Sequence, residues 1–128
     1  MRLWHERLLK DLPRQQLLGQ HREACALRGN GWSKKHKTVD YVLKSPFLML
    51  VAYHFRVISE METRGYEVEP KWRDYNYRGQ TVGYDNYLST DIASLQEYLK
   101  RPIIYPEHNN EYLKECLSNL KRKGVELS

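Results

Sequence analysis

The chain has 128 residues, of which 41% are hydrophobic and 29% charged, and it carries a net charge of +5. This composition is typical of one soluble globular domain spanning 1–128. No apolar run approaches the roughly 20 residues that cross a bilayer, and Met1–Glu6 lacks the apolar core of a signal peptide.

The two cysteines, Cys25 and Cys116, form no CxxC pair, which indicates a cytoplasmic protein with reduced thiols.

The positive charge is concentrated in the first third of the chain. Residues 1–44 carry ten basic and four acidic side chains, a net charge of +6, so the remainder carries −1. A basic surface on one side favours a polyanionic partner such as nucleic acid. A basic face that is merely solvated, as in a protein-interaction domain, remains the alternative.

The first predicted helix covers residues 13–28, where apolar residues recur near the helical period. Pro13 fits its first turn, and the segment Gly29-Asn30-Gly31 ends it. The same glycines, followed by Lys34, loosely resemble a phosphate loop. A phosphate loop needs a preceding strand and another glycine spacing, so the pattern favours a helix end.

A second helix is predicted over 45–64, with Ser45 as N-cap and Pro46 at the first helical position. Its wide apolar face makes it the expected centre of the core. Gly65 follows its basic last turn.

Residues 66–88 show no clear period and predict an ordered loop region. Its aromatic residues alternate with arginines, a pattern that fits either base stacking or anchoring of the loop to the core. Further helices are predicted from Ser89 to about Lys100 and over about 110–123. We therefore expect an all-α fold, a compact bundle of about four helices.

The five histidines form neither an HxxxH nor an HExxH pair, and the sequence places no Cys or carboxylate partner beside them in a ligand motif. We therefore expect no metal and no other cofactor. His54, on the apolar face of the second predicted helix, is typical of a core histidine.

The segment 14–23 carries most of the functional information. Glu23 is the single acid between Asp11 and Asp40, and it lies among Arg14, Arg22 and Arg28. The residues alone favour a solvated network of ion pairs over a catalytic carboxylate.

The same segment resembles the pyrimidine-dimer DNA glycosylase family. The matching residues, in order, are Arg2-Leu3, Gln15-x-Leu17-Leu18-x-x-x-Arg22-Glu23, Lys35-His36, Ser45-Pro46, His54, Arg64-Gly65-Tyr66 and Pro106-x-His108. The resemblance covers most of residues 1–66 and, more loosely, 102–124.

This resemblance implies an all-α DNA repair enzyme with glycosylase and abasic-site lyase activities in one site. In phage-type members the nucleophile is the amine of a threonine exposed after removal of methionine. Arg2 is too large for the usual removal, so the alignment implies the α-amine of Met1 as nucleophile, with Glu23 handling protons and Arg22 assisting.

The resemblance and the charge pattern together imply a set of DNA contacts: Arg2, Arg14, Gln15, Arg28, Lys34, Lys35, His36, Lys37, Lys121 and Arg122. The expected partner of this monomer is damaged or abasic double-stranded DNA, with no membrane. A nucleic-acid-binding domain without catalysis remains a second alternative to the enzyme.

Overall fold

The computed structural model describes residues 2–33 and 40–127. The helices are α1 (Arg14–Arg28), α2 (Asp40–Lys44), α3 (Phe47–Thr63), α4 (Ser89–Lys100) and α5 (Asn110–Arg122). Within these residues the only β-pairing is an isolated antiparallel bridge between Tyr77 and Tyr84. The predicted all-α fold is confirmed, and α2 is an addition to the four predicted helices.

The core is centred on α3, which contacts α1, α2 and α4. It is apolar on nearly every side of its first three turns, and residues 48–54 are all buried. Within the described ranges, no helix is both long enough and apolar enough to cross a membrane.

The helix ends differ in detail from the predicted caps. Pro46, rather than Ser45, is the N-cap of α3, and the Ser45 hydroxyl instead donates to the Tyr41 carbonyl at 2.7 Å. At the start of α4, the Asp91 carboxylate accepts from the Leu88 backbone N–H at 2.9 Å. Both N-caps thus lie one residue from the predicted positions, and the start of α3 has no side-chain cap.

The glycines after α1 allow close packing at its end. A Cβ on Gly29 would lie 2.9 Å from the Arg78 carbonyl oxygen, and one on Gly31 would lie 2.7 Å from that of Ala26. Gly29 N–H bonds to the carbonyls of Cys25 and Ala26, so the predicted helix end is confirmed and the phosphate-loop alternative is not supported.

The segment that precedes α1 contains no α-helix. The N-terminal segment, residues 2–12, buries Leu3, Trp4, Leu8, Leu9 and Leu12. The buried Glu6 carboxylate fastens this segment to residues 104–105 by accepting from their backbone N–H groups at 2.9–3.1 Å. Arg56 pairs with the same carboxylate at 2.7 Å, which compensates its burial.

Candidate active site

The Glu23 side chain lies beside the start of the described chain. Its Oε2 is 3.4 Å from the backbone N of Arg2, and the residue is only partly buried. Met1, the expected nucleophile, lies outside the described residues. The carboxylate is thus near the peptide nitrogen that follows Met1 and has some access to solvent.

Gln20 connects this carboxylate to the N-terminal segment. It lies one turn before Glu23 on α1 and is 1% exposed. Its Nε2 donates to the Arg2 carbonyl at 2.9 Å and to Glu23 Oε2 at 3.2 Å, and its Oε1 accepts from Trp4 N–H at 2.6 Å. These contacts orient its amide unambiguously.

Two tyrosines hold the same segment from other helices. The Tyr53 hydroxyl of α3 lies 2.6 Å from the Trp4 carbonyl oxygen and 2.9 Å from Gln20 Oε1. The Tyr112 hydroxyl of α5 donates to the Leu3 carbonyl at 2.5 Å. We call Gln20, Glu23, Tyr53 and Tyr112 the Glu23 cluster.

A second polar cluster lies on another side of α1 and consists of His21, Cys25, Arg28 and His54; we call it the Arg28 cluster. His21 Nδ1 is 2.8 Å from His54 Nε2, and Cys25 Sγ is 3.7–3.8 Å from the two rings. The sequence prediction that no cysteine lies close to a histidine is therefore wrong, because Cys25 contacts both His21 and His54 in the folded chain. His54 comes from α3, 33 residues after His21.

The three possible metal ligands of the Arg28 cluster, His21, Cys25 and His54, lie within 4.8 Å of one another. Arg28 Nη1, however, donates to His54 Nδ1 at 3.1 Å. A neutral His54 then carries its proton on Nε2 and donates it to His21 Nδ1, so neither His54 nitrogen offers a lone pair to a metal.

Burial also raises the pKa of the Cys25 thiol to about 12, which keeps it protonated. The guanidinium of Arg28 also places a positive charge beside His54, which disfavours a metal cation there. The donor set therefore fits a chain of hydrogen bonds better than a metal ion.

Arg28 does not fit the DNA contact expected from the sequence. It is 0% exposed, and its guanidinium donates to the carbonyls of Trp72, Asp74 and Tyr77 at 2.7–2.9 Å. Burial lowers its pKa to about 10, a value at which it is still charged at neutral pH. Arg28 therefore fastens the 72–77 loop to α1 and has no surface to offer a phosphate.

Two other expected contacts, Arg14 and Gln15, lie together on α1 with Arg22, the residue expected to assist catalysis. Arg14, Gln15 and Arg22, with Leu18, line an open groove of about 360 Å³. Arg14 and Arg22 are exposed, and the Arg14 guanidinium lies 5.4 Å from the centre of the Tyr66 ring. Two arginines on one exposed groove suit contacts to a phosphate backbone.

The remaining expected contacts are dispersed. Arg2 is partly buried, with Nη1 3.4 Å from Glu115 Oε1. Lys121 and Arg122 are exposed in the last turn of α5. Lys34, Lys35, His36 and Lys37 lie outside the described residues.

The sequence prediction missed three members of the Glu23 cluster, Gln20, Tyr53 and Tyr112. One signal was available for Gln20, which lies in helical register with Leu17, Ala24 and Leu27 on the buried face of α1. A glutamine on an apolar stripe requires hydrogen-bond partners within the fold.

A comparison with known protein families agrees with the resemblance noted in the sequence. Residues 1–74, more than half of the chain, match the family described as pyrimidine dimer DNA glycosylase. No curated protein and no solved structure matches the chain. The matched region contains Glu23, Gln20 and Tyr53 and ends before α4 and α5.

Proposed function

The chain belongs to the pyrimidine dimer DNA glycosylase family, and from this premise we propose that it is a DNA repair glycosylase with an associated abasic-site lyase activity. The observation that supports this proposal most directly is the position of Glu23 Oε2, 3.4 Å from the backbone N of Arg2. A carboxylate this close to Arg2 is suitably placed to accept and return protons during a reaction at the terminal amine.

In the proposed reaction, the free α-amine of Met1 attacks C1′ of the damaged nucleotide. The C1′–N bond to the base breaks, the base leaves with the bonding electrons and takes up a proton, and the sugar ring opens to give an imine with the enzyme. An α-amine has a reference pKa of about 7.7–8.0, so an appreciable fraction is neutral near pH 7.

In the lyase step, Glu23 removes a proton from C2′ of the imine, and the resulting electron pair expels the 3′ phosphate. Water then hydrolyses the imine and regenerates the amine. The target nucleotide, or the base opposite it, must leave the helix stack for the amine to reach C1′.

Arg14, Gln15 and Arg22 are the proposed contacts to the DNA backbone on the groove side of α1. Arg2, Lys121 and Arg122 and the segment Lys34–Lys37 are further proposed DNA contacts. Arg28 is excluded from this set by its burial.

The test is borohydride trapping on duplex DNA with an abasic site, with two preparations of the same chain. A preparation with a free Met1 amine should form a covalent adduct and cleave the strand. A preparation with an uncleaved N-terminal tag should bind DNA but neither trap nor cleave, and removal of the tag should restore both. Full activity with the tag in place would overturn the terminal-amine mechanism.

A further inference from the structure

The first residues of the described chain are held by hydrogen bonds from three helices. Arg2 O accepts from Gln20, Leu3 O accepts from Tyr112, and Trp4 offers N–H to Gln20 and its carbonyl to Tyr53. A chain terminus usually frays unless it is tied down. Here three consecutive residues are tied down beside a carboxylate.

We propose that Gln20 and Tyr112 are positioning residues, which hold residues 2–4 in the register that brings the reacting amine to Glu23. This inference rests on the proposed function and extends it to α5, which lies outside the segment 1–74 matched by the family.

Gln20 sets the position of the segment and of the carboxylate together. One amide nitrogen donates to both Arg2 O and Glu23 Oε2, so movement of the segment relative to Glu23 breaks one of these bonds. The amide oxygen accepts from Trp4 N–H, and the Tyr53 hydroxyl, which donates to the Trp4 carbonyl, lies 2.9 Å from it, so the side chain uses three of its four hydrogen-bonding positions within this cluster.

Tyr112 is held by packing against a group of aromatic side chains. The Glu6 backbone N–H donates to His108 Nδ1 at 3.2 Å, which leaves the His108 proton on Nε2, 2.8 Å from the Tyr41 hydroxyl oxygen. The Tyr112 ring packs against His108 and Tyr41, with ring centroids 5.0 and 6.2 Å away, and the Tyr112 hydroxyl donates to Leu3 O at 2.5 Å. The packing of this ring fixes the direction in which its hydroxyl reaches the N-terminal segment.

The consequence for the reaction is geometric. The amine must lie about 3–3.5 Å from C1′ while the carboxylate stays within reach of the proton it moves, and misplacement by about 1 Å costs about 100-fold in rate. The Arg2–Glu115 ion pair contributes little to this geometry, because Glu115 is largely exposed and surface pairs are weak.

The experiment compares Tyr112→Phe with Tyr105→Phe, which serves as the matched control. Tyr105 is buried, whereas Tyr112 is partly buried, and the Tyr105 hydroxyl has no hydrogen-bond partner among the described residues. At saturating protein, Tyr112→Phe should lower the single-turnover rate of borohydride-trappable imine formation on abasic duplex DNA about 10-fold or more. Affinity for DNA with a tetrahydrofuran abasic analogue should stay within about twofold, and Tyr105→Phe should keep the wild-type rate.

Gln20→Glu provides a second readout that does not depend on fold stability. It retains the shape and an acceptor but places a second acid beside Glu23, so the acidic limb of the pH–rate profile should move to higher pH. A rate equal to wild type in Tyr112→Phe, or an unmoved profile in Gln20→Glu, would overturn the positioning role. An absence of trapping by the wild type with a free terminus would overturn the proposed function itself, and this inference with it.

Discussion

The Glu23 cluster and the Arg28 cluster share helices α1 and α3, with Tyr112 of α5 added to the Glu23 cluster, and they differ in how far their side chains are buried. Each fastens a remote segment to α1 and α3, residues 2–4 in one and the 72–77 loop in the other. In the Arg28 cluster the side chains at the centre, Arg28 and His54, are fully buried. In the Glu23 cluster the carboxylate remains partly accessible, with weak contacts of 3.2 and 3.4 Å.

This difference suggests that the Arg28 cluster stabilises the fold, whereas the Glu23 cluster is suited to catalysis. A fully buried group such as the Arg28 guanidinium, with both Nη atoms hydrogen-bonded, contributes to stability and is shielded from reaction. A partly accessible carboxylate held by a rigid surrounding is suited to proton transfer. Changes in the two clusters should therefore separate loss of activity from loss of stability.

The largest expected effect is that of Glu23→Gln. The amide keeps the size and hydrogen bonding of the side chain but cannot act as a base, so strand cleavage should fall by about 10²–10⁴-fold. Trapping on abasic DNA should persist, because amine attack on an open aldehyde needs less proton transfer. Gel assays of cleavage and trapping on one substrate measure both; undiminished cleavage would remove Glu23 from the mechanism.

Arg28→Met should instead lower the stability of the fold. It leaves the carbonyls of Trp72, Asp74 and Tyr77 and the buried His54 Nδ1 without their donor, which should lower the free energy of unfolding by about 3 kcal/mol or more. The control is Arg73→Met on the same loop, whose partner Glu62 is exposed; it should cost under about 1 kcal/mol. Urea denaturation measures both.

Arg28→Met should also retain DNA affinity at a temperature where it is folded. Wild-type stability combined with weakened DNA binding would restore the contact expected from the sequence and contradict the structural role.

The histidines should make stability depend on pH in a defined direction. Burial lowers the pKa of His54 well below its ordinary value of 6.5 and also lowers the pKa of His21, while burial lowers the pKa of His108 to about 3. The unfolded chain therefore binds more protons than the folded one below pH 6.5. The stability that these neutral rings contribute is present above pH 6.5 and is lost as the pH falls.

Between pH 6.5 and 5.5, the free energy of unfolding should fall by about 1 kcal/mol for each of His54 and His108. Glu6, whose pKa is raised by burial from 4.5, acts in the opposite direction at lower pH, so this window avoids most of its contribution. Denaturation of His54→Gln should show a shallower slope than wild type. An equal slope would mean that His54 is protonated in the fold.

The smallest expected effect is that of zinc. Because Arg28 directs the His54 proton to Nε2, added Zn²⁺ should shift the Tm by less than about 1 °C, as measured by differential scanning fluorimetry after treatment with a chelator. A larger rise that Cys25→Ser abolishes would show that the Arg28 cluster binds metal and that the inferred proton positions are wrong.

The elements that the sequence predicted well are those with a local cause. The apolar period defines α1 and α3, and the glycines after each mark their ends, because helix formation and termination depend on neighbours a few residues away. The short α2 carries too few residues to show a period, and it went unpredicted. Ser45 satisfied the local preference for an N-cap, but its hydroxyl bonds backward to Tyr41, a choice that sequence preference does not distinguish.

The sequence by itself determined the all-α fold, the basic first third and, through the order of motifs from Arg2 to Tyr66, the family. Only the tertiary structure decided which polar residues act together. Arg22 and Arg28 look alike in the sequence, yet Arg22 lines an exposed groove and Arg28 is buried under a loop 44–49 residues away. Gln20 and Tyr112 are 92 positions apart and meet at one segment, because burial and hydrogen-bond satisfaction depend on contacts between remote parts of the chain.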